Sequence, residues 1–93
     1  MNKSDLINDL KYEADLSRSD AEIVVESFFD SVAETLSGGE RVEIRGFGSF
    51  TVKDYKAYVG RNPKNGVQIE VPSKKLPFFK VGKELKERVD TDQ

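Results

Sequence analysis

Residues 60–66, with the sequence Gly-Arg-Asn-Pro-Lys-Asn-Gly, combine turn-forming residue types with two cations. Glycine, proline and asparagine favour a tight chain reversal, and runs of alternating polarity lie on both sides, at residues 50–58 and 67–71. Two alternating runs joined by such a turn predict a β-hairpin with residues 60–66 at its tip. The hairpin is unusually polar for a buried element, and its cations are Lys53, Lys56, Arg61, Lys64, Lys74 and Lys75.

The proline at this tip, Pro63, indicates a specific chemistry. A turn of the type Asn-Pro-x-Asn-Gly can serve chain reversal alone. At the end of a long ribbon rich in lysine and arginine, however, a rigid apolar ring can act as a wedge between stacked bases. Arg61 and Lys64 would then contact the phosphate backbone or the floor of the minor groove. The pattern therefore favours nucleic-acid binding over a purely structural turn.

A second candidate set lies in residues 40–45, where the apolar period changes from that of a helix to that of a strand. Val42 and Ile44 fall on one side of this strand, and the charged residues fall on the other. The charged row consists of Arg41, Glu43 and Arg45. It can form cross-strand ion pairs on a solvated face, or it can present two guanidinium groups to DNA, supported by Glu43. The spacing is compatible with both interpretations.

Helices are predicted on both sides of the strands in the chain. The first runs from about residue 3 to 14 with Asn2 as its N-cap, and the second follows the N-cap Ser17 and ends at Gly38-Gly39. A bend at residues 46–48 leads into the hairpin, and a last helix is predicted at residues 83–89. The fold class is α+β: a two-helix base, a three-stranded antiparallel sheet with a long protruding β-hairpin arm at about residues 53–76, and a short C-terminal helix. We predict a single domain of residues 1–93, with a frayed tail at residues 90–93.

The phenylalanine content predicts a dimer. If the arm projects, about two-thirds of this small chain remains to cover six phenylalanines, so a partner chain is the natural way to bury them. All six, at positions 28, 29, 47, 50, 78 and 79, are predicted to pack in the core or the dimer interface. The candidate dimer core is Phe28, Phe29, Phe47, Phe50 and Phe79. The arm, about 30 Å long at about 3.3 Å per residue, is expected to be ordered by what it binds, because a two-stranded ribbon is only marginally stable in water.

The composition argues against several function classes. The chain has no cysteine and no histidine, which removes disulfides, Ser-His and Cys-His catalysis and the usual zinc ligands. Gly46-Phe47-Gly48 lacks a third glycine at the spacing of a dinucleotide-binding loop. We therefore predict no enzyme activity, catalytic residue, metal, cofactor or small-molecule substrate. The N-terminal residues form no apolar run long enough for a signal peptide or membrane span, so we expect a cytoplasmic protein without membrane contact.

The charge of the chain is distributed unevenly. The formal net charge is −2, but residues 1–36 carry three cations and nine anions, and residues 37–88 carry twelve cations and six anions. Four of the acidic residues, Glu22, Glu26, Asp30 and Glu34, recur four apart and are expected to form a solvated helix face. Because binding responds to the local field, the basic half can dock on phosphates although the whole chain is acidic.

Three segments carry a resemblance to a known family. They are residues 46–50 (Gly-Phe-Gly-Ser-Phe), residues 60–66, and residues 77–85 (Pro-Phe-Phe-Lys-Val-Gly-Lys-Glu-Leu). In this order and with these gaps, the chain resembles the HU and integration host factor family of bacterial DNA-bending proteins over about residues 2–89. This family is itself a standard example of minor-groove architectural proteins. The resemblance implies an intertwined dimer whose helical base lies under a β-sheet saddle, with one arm per subunit reaching around the duplex.

The resemblance also implies roles for individual residues. Pro63 would intercalate at a kink in the DNA, with Arg61 and Asn62 in the minor groove. Residues 40–45 are similar to the β-type subunit of integration host factor, in which this row takes part in sequence discrimination, whereas Asn65 stands where the family tip has threonine. Phosphates on the flanks would be bound by Lys3, Ser4, Lys80 and Lys83, with backbone amides at helix starts. The complete set of candidate DNA-binding residues is Pro63, Arg61, Asn62, Lys64, Asn65, Lys53, Lys56, Lys74, Lys75, Arg41, Glu43, Arg45, Lys3, Ser4, Lys80 and Lys83.

The expected function is that of an architectural protein that binds and bends double-stranded DNA in nucleoid organisation, recombination and transcription. The preferred form is the β-type subunit of a host-factor heterodimer with an α-type subunit. The alternative is an HU-like homodimer with little sequence preference, and the two differ in whether the chain dimerises alone. A protein of another class, a protein-binding module that grips its partner with the arm, would lose a DNA complex at moderate salt and keep a protein partner. The expected location is the cytoplasm, in association with the nucleoid.

Overall fold

The structure, a computed structural model, describes residues 1–91 as three helices and five strands. In chain order the elements are α1 (Lys3–Glu13), α2 (Arg18–Ser37), β1 (Val42–Ile44), β2 (Gly48–Tyr55), β3 (Tyr58–Arg61), β4 (Gln68–Val71), β5 (Lys74–Val81) and α3 (Lys83–Asp90). Of the predicted frayed tail, Asp90 is the last residue of α3 and Thr91 caps it, whereas residues 92 and 93 lie outside the described residues.

The ends of α1 and α2 follow from local capping chemistry. The Asn2 side chain accepts a hydrogen bond from the Asp5 amide at 2.9 Å, and the Asp5 carboxylate accepts one from the Asn2 amide at 3.0 Å. At α2, the Ser17 hydroxyl accepts from the Asp20 amide at 3.1 Å. The helix ends at Ser37, before Gly39 adopts a φ of 83°, which glycine tolerates without strain. The predicted helix starts and the stop at Gly38-Gly39 are confirmed.

The two long helices pack on each other around a small core. Ile7 of α1 lies against Ala21 and Val25 of α2, and these three are the buried apolar residues within residues 1–91. Partly buried leucines at positions 6, 10 and 16 surround them. The core of one chain is therefore confined to the seam between α1 and α2.

The strands form one long antiparallel hairpin with an extra edge strand. The sheet order is β1-β2-β5, and β3 pairs with β4 farther out. The register is continuous, because Gly48 pairs with Val81 at the base and Arg61 pairs with Gln68 near the tip. The ladder is interrupted between these two parts, where residues 56–57 face residues 72–73. The prediction of two arm strands of about ten residues did not include this interruption, which falls at Pro72, a residue without an amide donor.

The three-stranded sheet has two different faces. The inner face, which turns toward α2, consists of Val42, Ile44, Phe50, Val52, Asp54, Lys75, Pro77 and Phe79. The outer face consists of Glu43, Ser49, Thr51, Lys53, Tyr55, Lys74, Leu76, Phe78 and Lys80. The aromatic rings of Phe50 and Phe79 are 4.9 Å apart on the inner face.

The prediction that all six phenylalanines pack in the core or the dimer interface is wrong for Phe78. Its ring lies on the outer face, where the Lys53 ammonium is 3.5 Å from the ring centroid. The reason is the period of a strand: consecutive residues point to opposite faces, so Phe78 and Phe79 cannot both point inward.

The chain is extended for its length. Its radius of gyration is 19.1 Å, whereas about 12 Å is typical of a compact chain of this size. Its accessible surface is 7989 Å², against about 5,400 Å² for a compact monomer of the same mass. Phe28, Phe29, Phe47 and Phe79 remain 38 to 47% exposed. An open apolar groove of about 650 Å³ lies between α2 and the inner face, so a single chain leaves its aromatic residues partly uncovered.

The described architecture agrees with the predicted α+β class. The two-helix base, the three-stranded antiparallel sheet, the protruding hairpin and the C-terminal helix are all present. The bend at residues 46–48 also has a structural role, because the Phe47 carbonyl accepts from the Gly82 amide and the Gly46 carbonyl accepts from the Leu85 amide. These hydrogen bonds attach the start of α3 to the base of the arm.

Candidate nucleic-acid interface

Three lysines share the outer face of the sheet. Lys53 lies diagonally across from Phe78, Lys74 lies opposite Tyr55 with its ammonium 5.9 Å from the ring centroid, and Lys80 lies opposite Ser49. None of these three forms an ion pair with a carboxylate within residues 1–91. The three ammonium groups thus remain available to phosphates, and the carboxylate on the same face, Glu43, is bound to Arg41.

The other two arm lysines are placed differently. Lys75 lies on the inner face opposite Asp54, with 4.0 Å between the Lys75 ammonium and the Asp54 carboxylate. Lys56 lies in the interruption of the ladder, opposite Ser73. The structure therefore does not bring all the predicted arm cations onto one face, and Lys74 and Lys75 are separated because they are neighbours in one strand.

The charged row of the first strand is partly self-paired. The Arg41 guanidinium donates to the Glu43 carboxylate at 2.8 Å, and both side chains are exposed. An exposed pair of this kind is weak and screened by salt, so a phosphate can compete for Arg41. Arg45 follows β1 and makes no ion pair within residues 1–91. The predicted cross-strand ion pairs are not formed within residues 1–91, because Glu43 faces Ser49 on β2 and binds Arg41 of its own segment instead. Contact of the row with DNA stays a prediction.

The tip is held by asparagine side chains as well as by the backbone. The Asn62 amide donates to the Val67 carbonyl at 2.9 Å, and the Gly66 amide donates to the Asn62 carbonyl at 2.8 Å. The side-chain oxygen of Asn62 accepts from the Lys64 amide, and that of Asn65 accepts from the Val67 amide, each at 2.9 Å. These Asx-type turns fix the loop without using Pro63, which remains exposed at its end.

The two glycines that bracket the tip differ. Gly66 has a φ of 71°, which a residue with a Cβ atom rarely adopts. Gly60 lies within β3, opposite Ile69, and does not have positive φ. Only one end of the turn therefore demands glycine for its backbone conformation. On β3, Arg61 lies opposite Gln68, on the ribbon face that Val59 and Glu70 share.

Three of the four predicted flank residues, all except Lys80, already have side-chain partners in the free chain. The Lys3 ammonium is 3.2 Å from the Glu26 carboxylate, and the Ser4 hydroxyl accepts a hydrogen bond from Arg18 at 3.5 Å. Lys83, the first residue of α3, pairs with Glu87 at 3.9 Å. All these contacts are at the surface, so they can be exchanged for contacts with a ligand at a small free-energy cost.

Within residues 1–91, acidic side chains form no group of three or more that could hold a metal ion. The helices in this part of the chain are also too short or too polar to cross a membrane.

A comparison with known families agrees with this geometry. Residues 1–90 match the family model described as "Bacterial DNA-binding protein". The chain belongs to this bacterial DNA-binding protein family. The family comprises architectural DNA-binding proteins and not enzymes.

The chain is similar to known proteins along nearly its whole length. The chain is 47% identical over 90 residues to DNA-binding protein HU-1 of Halalkalibacterium halodurans, covering 97% of this chain and all of the relative. It is 45% identical over 89 residues to DNA-binding protein HU of Staphylococcus aureus, covering 96% and 99% of the two chains. A solved structure described as an Anabaena HU–DNA cocrystal matches with a TM-score of 0.85 and 35% identity, covering 96% of this chain and 97% of that one. The recognised resemblance is thus confirmed at the level of the HU family.

Two features of the structure were not predicted from the sequence. Phe78 and Tyr55 lie on the outer face beside Lys53 and Lys74, and the strand period of two could have placed them there. Arg18, at the start of α2, contacts both Ser4 and Asn8 of α1. No sequence signal indicates this second contact, because it depends on how α1 packs on α2.

Proposed function

We propose that the chain acts as an HU-like homodimer that binds and bends double-stranded DNA. The observation that carries this proposal is the continuous surface formed by the outer face and the arm. The outer face presents Lys53, Lys74 and Lys80 without acidic partners, and the arm continues from it to an exposed Pro63. Membership of a DNA-binding family supports the same conclusion.

The dimer is supported by the apolar surface that one chain leaves uncovered. Phe29 and Phe50 line the groove between α2 and the inner face, and Phe28, Phe47 and Phe79 are more than a third exposed. Burial of a phenylalanine stabilises a protein by about 2 kcal/mol, so exposure of several in one chain is costly. A second copy packed into the groove would complete the core and place two arms on the same side of the assembly.

The arm would hold the duplex through its minor groove. Pro63, rigid and exposed, would enter between base pairs, with Arg61, Asn62, Lys64 and Asn65 around it. The side-chain oxygens of Asn62 and Asn65 each accept one hydrogen bond from the backbone, and this orientation leaves their side-chain N–H groups as donors toward a ligand. N–H donors match the acceptors that every base pair presents in the minor groove, so contacts of this kind discriminate little between sequences.

The DNA on either side of the bend would be bound by side chains that exchange their present protein partners for phosphates. Lys3 would leave Glu26, and Ser4 would share its hydroxyl between Arg18 and a phosphate oxygen. Lys80 and Lys83, near the start of α3, would add two more cations. Bending a short DNA duplex costs several kcal/mol, and phosphate contacts on both sides of the bend would offset that cost. Apart from Lys3 and Ser4 at its start, the helical half, with nine anions against three cations in residues 1–36, would stay away from the phosphates.

A β-type host-factor subunit remains a second candidate, and its support is the Arg41-Glu43-Arg45 row. This row lies beside the outer face, with Glu43 on the face itself. In that form the chain would need an α-type partner and would serve site-specific recombination and transcription. The relatives described above are named HU, which favours the homodimer. In either form we propose a nucleoid-associated location in the cytoplasm.

Light scattering coupled to size exclusion would test the proposal on the purified chain, alone and with a short duplex in about 50 mM salt. We expect twice the chain mass alone and a complex of two chains per duplex. A monomer that forms a stable dimer only with an α-type subunit would instead support the host-factor form. A dimer that does not bind the duplex at this salt concentration would contradict the DNA function and favour a protein-binding module.

A further inference from the structure

An aromatic ring occupies the centre of the outer face, where polar side chains would be expected. Phe78 pairs with Thr51 across β2 and β5, and its outer-face neighbours along β5 are Leu76 and Lys80. The ring is 39% exposed. It is separate from the inner-face cluster, in which Phe47, Phe50 and Phe79 contact one another at centroid distances of 4.9 to 5.5 Å. Phe78 therefore contributes little to the packing of the sheet on the helices.

The neighbour of this ring is a cation. The Lys53 ammonium lies 3.5 Å from the Phe78 ring centroid, in a diagonal cross-strand position. Lys53 forms no ion pair within residues 1–91, so the ring is the group that orients it. An ammonium has three N–H donors, and a ring below it leaves donors free to point away from the sheet. A free lysine side chain loses rotamer entropy when it binds a ligand, and the ring removes part of that loss in advance.

We infer that Phe78 is a positioning residue for DNA binding, which holds the Lys53 ammonium over the outer face so that it meets a phosphate in a fixed geometry. This inference rests on the proposed function, because it assigns the outer face to the duplex. The pair of Lys74 and Tyr55 on the same face provides an internal comparison, because its distance of 5.9 Å is near the limit of the interaction. The Lys74 ammonium is accordingly less well fixed than that of Lys53.

The test is a double-mutant cycle between Phe78 and Lys53, with binding to a short duplex measured by fluorescence anisotropy at several salt concentrations. Phe78→Leu keeps an apolar side chain but removes the π face, and it should weaken binding about three- to fivefold. Phe78→Tyr keeps the ring and should bind as the original chain does. In the Lys53→Ala background, Phe78→Leu should have no further effect. The matched cycle of Tyr55→Leu with Lys74→Ala should show a smaller coupling.

Several results would overturn the inference. Binding of Phe78→Leu equal to that of the original chain, or an equal loss in both backgrounds, would show that the ring does not act through Lys53. Failure of Phe78→Tyr to restore binding would have the same meaning. Thermal unfolding and light scattering of each variant separate these results from a loss of folding. If the unsubstituted chain itself fails to bind the duplex, the proposed function fails, which is a distinguishable outcome.

Discussion

The inner and outer faces of the sheet are built from alternate residues of the same strands, yet they have different chemistry. Two doublets in β5, Lys74-Lys75 and Phe78-Phe79, are divided between the faces, one residue of each doublet on either side. Phe79 joins the aromatic cluster and Lys75 pairs with Asp54, whereas Lys74 and Phe78 are on the outer face. In these strands, the face of the sheet on which a side chain lies determines its role more than the amino-acid type does.

The largest expected difference between the faces is in stability. Phe78 and Phe79 are almost equally exposed in a single chain, at 39% and 38%, but we expect only Phe79 to be covered in the dimer. Phe79→Ala should lower the free energy of unfolding by about 3 kcal/mol, as expected for loss of a buried ring. Phe78→Ala should lower it by less than about 1 kcal/mol, as for most surface positions. Urea unfolding at one fixed protein concentration measures both, and equal losses would contradict the separation of the faces.

The second difference concerns DNA affinity. Lys74→Ala should weaken duplex binding about tenfold at low salt and reduce the slope of log K against log salt by about 0.9, because one phosphate contact is lost. Lys75→Ala should leave the slope unchanged, since its ammonium lies on the inner face near Asp54. The two substitutions remove the same charge one residue apart, so they control for net charge. An equal reduction of the salt slope in both variants would show that DNA affinity depends only on the overall charge.

The smallest expected effect comes from the acidic helices. Glu26→Gln removes the carboxylate that pairs with Lys3 at 3.2 Å. Because exposed ion pairs contribute about 0.2–1 kcal/mol, the freed Lys3 should strengthen duplex binding about two- to threefold. Anisotropy titrations at low salt should detect this change. Glu22→Gln, on the same helix face but outside this ion pair, serves as the control for net charge. Equal gains in the two variants would mean that the Lys3–Glu26 pair does not compete with DNA.

Much of the fold could be predicted from local chemistry. Asn2 and Ser17 mark helix starts because their side chains accept hydrogen bonds from backbone amides of the first turn. The Gly38-Gly39 pair marks a helix end because Gly39 adopts a positive φ. The hairpin and its tip followed from the turn residues at 60–66. The interruption of the arm ladder was not predicted, although Pro72 marks it, because the alternation of polar and apolar residues was given more weight than a single proline. Phe78 was misplaced because hydrophobic type was given more weight than strand period.

The partners of the charged residues could not be predicted in the same way. The contacts of Lys3 with Glu26 and of Arg18 with Ser4 join residues on different helices, so they depend on packing that spacing does not encode. The ion pairs predicted for the charged row were cross-strand pairs, whereas Arg41 binds Glu43 within its own segment. Which cations are free and which are paired became clear only from the positions of the helices and strands.

The central claim is that the outer face and the arm together bend a duplex. Energy transfer between dyes at the two ends of a short duplex, at saturating concentrations of the purified single chain, tests it most directly. We predict a rise in transfer efficiency, a smaller rise with Pro63→Ala, and an unchanged rise with Lys64→Ala once binding is saturated. A saturated complex with the transfer efficiency of the free duplex would contradict the claim.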